Sequence, residues 1–183
     1  MKPPARSRSL QRGFTLIEIL VVVLIIGVLL SFATLSIGNR ALGDKLDTEA
    51  RRSEALFRLA LDEASLKGYE IGYRLTTTRQ EFLAIGPEGR WIPIPDGPLR
   101  PRLLPQPIEL RLRIEGRPVP PAAEAEADED SKAPPVQPQV LLMSSGEATA
   151  FTLDLSAPGL EQGWRLEADM LGSLKLSPQD RSP

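Results

Sequence analysis

Arg12-Gly13-Phe14-Thr15-Leu16-Ile17-Glu18 opens an apolar run that continues to Ala33. Counted from Phe14, the run is 20 residues long and carries one charge, Glu18. At about 1.5 Å of rise per helical residue it reaches roughly 30 Å, the hydrocarbon thickness of a bilayer. An acidic side chain at the centre of such a span costs about 2.5–3.5 kcal/mol, so carboxylates inside spans are generally paired or functional. Four cations, Lys2, Arg6, Arg8 and Arg12, and no acid precede the run. Positive flanks of this kind stay cytoplasmic and direct the chain beyond the span outward.

Plainer readings of these residues leave something over. A secretory signal peptide has an apolar core of about 7–15 residues before a small-x-small site. Ser31-Phe32-Ala33 fits such a site, but the run is longer than that core and holds Glu18. A simple membrane anchor accounts for the length and gives no role to Glu18 or to the Gly13-Phe14 junction. A buried globular helix is seldom so uniformly aliphatic. The basic leader, Gly13, Phe14, Glu18 and the apolar run together resemble the class III signal of type IV pilins and of the pseudopilins of type II secretion. The resemblance implies that a prepilin peptidase cuts between Gly13 and Phe14 and methylates the new N-terminal Phe14. It also implies that Glu18 meets the N-terminal amine of a neighbouring subunit during assembly. The α-amine created at Phe14 would supply the countercharge that Glu18 lacks in an apolar medium.

Composition narrows the chemistry. At 183 residues, less a 13-residue leader and a membrane half-helix, one small domain remains. Taking the four leader cations from 22 leaves 18 basic against 24 acidic residues, a formal charge of −6 for the processed chain. An acidic body is a poor start for binding nucleic acid. Cysteine and histidine are both absent. An exported domain without cysteine relies on packing alone, and thiolate and Ser-His-Asp catalysis are excluded by inventory. The commonest general base and metal ligand is missing as well. The expectation is a non-enzyme with no cofactor and no metal site.

Along the chain, residues 1–13 read as leader, 14–37 as a transmembrane helix and 38–68 as its amphipathic continuation, with a soft spot near Gly38 to Gly43. Leu46, Ala50, Ser53, Phe57, Ala60 and Ala64 recur at spacings of four and three and form one stripe, with Leu61 beside Phe57. Arg51, Arg52, Arg58, Asp62 and Glu63 face away, with Leu59 and Leu66 as two leucines on the solvent side. Gly68 ends the helix.

Residues 69–178 read as an antiparallel β domain and 179–183 as a tail. Ile71, Tyr73 and Leu75 alternate with Glu70, Arg74 and Thr76, and 81–85 pairs back across a turn at 77–80. Residues 86–107 hold seven prolines, leaving 90–94 as at most a short edge strand. Ile108, Leu110, Leu112 and Ile114 alternate with Glu109, Arg111, Arg113 and Glu115. Residues 118–139, with six prolines and an acidic run, cannot bury enough surface to order and read as a disordered insert. Its acids lack the glycine and glutamate spacing of a calcium loop. Further strands are expected at 140–143, at Phe151 to Leu155, at Trp164 to Met170 and at Leu174 to Leu176.

The expected fold is therefore α+β and pilin-like, a long N-terminal helix packed against small antiparallel sheets. The order helix, sheet, variable insert and closing hairpin around Leu171-Gly172 resembles the GspH/FimT-like group. That resemblance implies a minor subunit of the type II secretion pseudopilus, at or near its tip, helping to export folded proteins. The alternative is a FimT-like minor pilin of a type IV pilus involved in DNA uptake. It would want an arginine-rich tail, whereas Gln179-Asp180-Arg181-Ser182-Pro183 has one cation and one anion. Implied partners are other major and minor pseudopilins, the prepilin peptidase, the inner-membrane assembly platform and exported proteins. The implied location is the inner membrane, single-pass, with a cytoplasmic N-terminus and a periplasmic C-terminal domain.

Overall fold

The structure, a computed structural model, describes residues 15–86, 88–124 and 136–180, with side chains left out at 30–39. Gly13, Phe14, the leader, the middle of the acidic insert and residues 181–183 lie outside the described residues. The chain forms two compact units, one ending at Arg40 and the other beginning at Ala41.

One helix, α1 (Leu16–Lys67), contributes to both. It starts where the Thr15 hydroxyl accepts the Glu18 N–H at 3.3 Å, the bond a threonine N-cap makes to an otherwise orphaned donor. It stops at Gly68, whose φ of 70° and N–H bond to the Ala64 carbonyl at 3.0 Å make a left-handed helix end. The helical assignment is unbroken at Gly38 and Gly43, where the sequence suggests a soft spot.

In the first unit the aliphatic side chains from Leu16 to Leu29 are exposed. Among the described residues no helix is long and apolar enough to cross a membrane. The apolar run of the sequence extends past this stretch on both sides, through Phe14 and residues 30–33.

In the second unit the stripe is buried as its spacing requires: Leu46, Ala50, Ser53, Phe57, Ala60 and Ala64 are all in the core. Leu59 and Leu66 are exposed. On the outward face Glu54 pairs with Arg58 at 2.9 Å and Glu63 with Lys67 at 2.7 Å, each at the favourable i,i+4 spacing.

Two antiparallel sheets complete this unit. In the first, β1 (Ile71–Leu75) lies between β2 (Arg79–Ile85) and β7 (Val140–Leu142), with β3 (Trp91–Pro93) at the β2 edge and β4 (Arg102–Leu103) also pairing with β2. The second runs β10 (Leu174–Asp180), β9 (Gln162–Ala168), β8 (Phe151–Ser156), β5 (Glu109–Ile114), β6 (Arg117–Val119). Phe57 of α1 joins the layers, with ring centroids 4.6 Å from Tyr73, 5.4 Å from Phe82 and 4.7 Å from Phe151. The aromatics of both sheets thus pack on one helical side chain, and such pairs add about 0.5–1.5 kcal/mol each beyond their burial.

Several expectations need correction. The second face of β1 and β2, about which the alternation is silent, is covered too: Arg74, Thr76 and Glu81 are buried. Residues 118–124 and 136–139 of the insert expected to be disordered are bonded to the first sheet or packed on that face, while 125–135 lie outside the described residues. β4 is a short strand in the proline-rich segment 86–107, and β6 is a short strand that runs into the start of the insert read as disordered. β9 ends at Ala168, leaving Met170 and Leu171 exposed in the turn. β10 continues through Pro178 to Asp180, two residues beyond the expected end of the β domain, because an edge strand tolerates a residue without an N–H.

Candidate functional site

Of the three residues singled out at the N-terminus, the structure places one. Glu18 sits in the first turn of α1, exposed, and among the described residues no cation pairs with its carboxylate. Gly13 and Phe14 lie outside the described residues. Thr15 was missed as part of this site, although Thr15-Leu16-Ile17-Glu18 has the spacing of a capping box. Its hydroxyl fixes the turn that carries Glu18. The orphaned N–H groups of a helix start favour an anion by about 0.3–1 kcal/mol at an exposed site, so Glu18 also has a local role.

A polar cluster links α1 to the inner face of the first sheet. Glu49, buried, accepts from Arg52 at 3.2 Å and from the Gln80 amide at 3.3 Å. The Tyr73 hydroxyl donates to Gln80 at 3.5 Å. Burial, and then the nearby Glu49 carboxylate, push the Tyr73 hydroxyl far above its ordinary range, so it acts only as a neutral hydrogen-bonding group. The Ser53 hydroxyl, also buried, has no hydrogen-bond partner among the described residues.

A cleft of about 500 Å³ lies between the end of the first sheet and the β5–β6 hairpin, with Leu75, Thr77, Leu104, Ile108, Val119 and Pro121 among its walls. Arg111 and Arg113 stand at its rim, Arg111 held by Glu109 at 3.1 Å and Arg113 by Asp154 at 3.5 Å. The lining joins aliphatic carbons to hydroxyls and guanidinium groups. Among the described residues no three potential ligands are grouped to hold a metal ion.

A helix capped directly ahead of an exposed aliphatic face, continuing into a domain of two small antiparallel sheets, defines a pilin-like subunit. Residues 8–34 match the prokaryotic N-terminal methylation motif. Over 151 residues the chain is 38% identical to type II secretion system protein H of Pseudomonas aeruginosa, covering 82% of this chain and 86% of that one. Over 174 residues it is 28% identical to the protein of the same description from Aeromonas hydrophila, covering 92% and 94%. The crystal structure of the minor pseudopilin EpsH from the type II secretion system of Vibrio cholerae superposes with a TM-score of 0.59 at 26% identity, covering 76% of this chain and 98% of that one. The chain belongs to the type II secretion system protein H family, the H-type minor pseudopilins.

Proposed function

We propose that the chain is stored in the inner membrane by the first half of its helix and is drawn from there into the periplasmic pseudopilus at or near the tip. Residues 1–13 act as a leader, prepilin peptidase cuts between Gly13 and Phe14, and Phe14 is methylated. The observation that carries this reading is the methylation motif over 8–34 running into an aliphatic helix whose first turn holds one exposed carboxylate. In hydrocarbon that carboxylate needs a cation, and the new α-amine of Phe14 on an adjacent subunit is one of the right charge. Helix extraction is easier when the two neutralise one another. The chain then works as a structural subunit, without cofactor or chemistry of its own, among other major and minor pseudopilins, the assembly platform and exported proteins.

Its relatives favour secretion over DNA uptake, since those from Pseudomonas and Aeromonas are both described as type II secretion proteins. The test is Glu18→Ala. The variant should be processed and remain in the membrane fraction while incorporation into pseudopili falls sharply and secretion with it. Normal assembly and secretion by Glu18→Ala would remove the proposed role of the carboxylate.

A further inference from the structure

The acidic insert enters and leaves the first sheet along a strand edge that would otherwise be open. β7 pairs only with Ile71 to Tyr73 of β1. Beyond that point the Leu75 N–H donates to the Gln139 side-chain oxygen at 2.7 Å, and the Leu75 carbonyl accepts the Ala122 N–H at 2.8 Å. The Gln139 side-chain amide in turn donates to the Pro120 carbonyl at 2.9 Å, tying the two ends of the insert together. An uncovered edge is a template for pairing with another chain, and these bonds close it.

One carboxylate fastens the strap. Glu124 Oε1 accepts from the Thr78 hydroxyl at 2.9 Å, the Thr77 hydroxyl at 3.1 Å and the Thr78 N–H at 3.2 Å, and Oε2 lies 3.6 Å from the Arg79 guanidinium. The Glu124 side chain is 39% exposed, so it is held by these donors and not by enclosure. Arg79 also lies 4.0 Å from Glu81, and Arg74 donates to the Ala123 carbonyl beneath the strap. Pro121 lines the cleft together with Leu75, Thr76 and Thr77, so lifting the residues that follow β6 would open the cleft there and bare the β1 edge together.

We propose that Thr77, Thr78 and Arg79 form a carboxylate-binding seat, filled in cis by Glu124, that latches residues 120–124 over the edge of β1. A carboxylate from another protein chain is the class of ligand that competes for this seat. Partial burial alone would raise the Glu124 carboxyl, but the hydroxyls of Thr76, Thr78 and Thr77 and the Thr78 amide outweigh it and hold the group below its ordinary range. The latch is therefore charged and closed at neutral pH, and it loosens only as pH falls through that lowered value. Arg79, Glu81 and Arg74 are the charged groups packed around it.

Hydrogen exchange read by mass spectrometry on the full chain in detergent tests this. In Glu124→Ala, peptides covering 71–78 and 118–124 should exchange about tenfold faster while those of β8 and β9 keep their protection. Excess sodium acetate should speed exchange of the same peptides in the wild-type chain by displacing Glu124 from the seat and should leave Glu124→Ala unchanged, and sodium chloride at equal ionic strength should do neither. Glu124→Gln, which keeps an acceptor and loses the charge, should behave like Glu124→Ala. Unchanged exchange in Glu124→Ala, acceleration spread equally over β8 and β9, no effect of acetate on the wild-type chain beyond that of sodium chloride, or wild-type behaviour of Glu124→Gln would each overturn the proposal.

Discussion

Arg74 and Glu81 lie directly opposite one another on β1 and β2, their side chains joined at 2.9 Å and both almost wholly buried. They are on the face of the sheet turned away from Tyr73 and α1, where alternation alone would leave them in water. A buried pair contributes little net stability, because desolvation opposes the attraction, but removing one member leaves an uncompensated charge at a cost of ~3–5 kcal/mol. Arg74→Met or Glu81→Leu alone should lower the free energy of urea unfolding by about 3 kcal/mol, and the double variant should recover at least half of the loss. Fluorescence of Trp91 and Trp164 reports the transition. Additive losses in the double variant would show that the two charges are not coupled.

Gly13→Asp should block processing. The charged side chain would stand at the bond proposed to be cut, so co-expression with prepilin peptidase should give no mobility shift. The intact mass should retain Met1. A normal shift in this variant would displace the cleavage site from the Gly13-Phe14 junction.

Gly172 has a φ of 74°, and a Cβ built there collides with the Gly146 carbonyl oxygen. Gly159, at φ 79°, has open space around the same position. Both positions strain an L residue, but only Gly172 adds a clash with backbone. Gly159→Ala should cost about 1 kcal/mol and Gly172→Ala up to about 3 kcal/mol in urea unfolding. Equal costs would mean that the two turns shift freely to make room.

The Glu63 carboxyl is held below its ordinary 4.5 by hydrogen bonds first from Lys67 and then from Tyr69, against a smaller effect of burial. A carboxyl lowered in the folded state adds stability above its unfolded pKa, and this is lost as pH falls through the folded value. Glu63→Gln should therefore be less stable than the wild type at neutral pH, with the gap closing as pH falls below the ordinary carboxylate value and through the lowered one. A gap that stays constant across this range would assign the effect to hydrogen bonding and not to charge.

The helix was legible because its signal is long and local. The stripe from Leu46 to Ala64 has enough repeats for a period near 3.6 to stand out, and all six members are buried. Within the candidate N-terminal site, Glu18 is conspicuous in the sequence as the lone charge in an apolar run, while Thr15, its capping partner, looks like any other polar residue. β4 and β6, at two and three residues, are too short to show any period. The alternation running from Trp164 to Met170 continues past the strand, since a turn held by two N–H bonds to the Asp169 carboxylate can also set apolar and polar residues side by side.

By itself the sequence determined the apolar N-terminal helix with its lone Glu18, the face of the helix that is buried and the antiparallel β domain. Each is a matter of periodicity, charge or hydropathy between near neighbours. Only the tertiary structure decided what becomes of Arg74 and Glu81, because burial of a strand's second face depends on what is laid over it. Here the cover is Ala123 and its neighbours, 49 residues beyond Arg74. The same distant segment turns a strand edge into a closed one through Leu75, Ala122 and Gln139. Hydrogen bonds between residues so far apart leave no periodic trace in either segment, so folding alone brings them together.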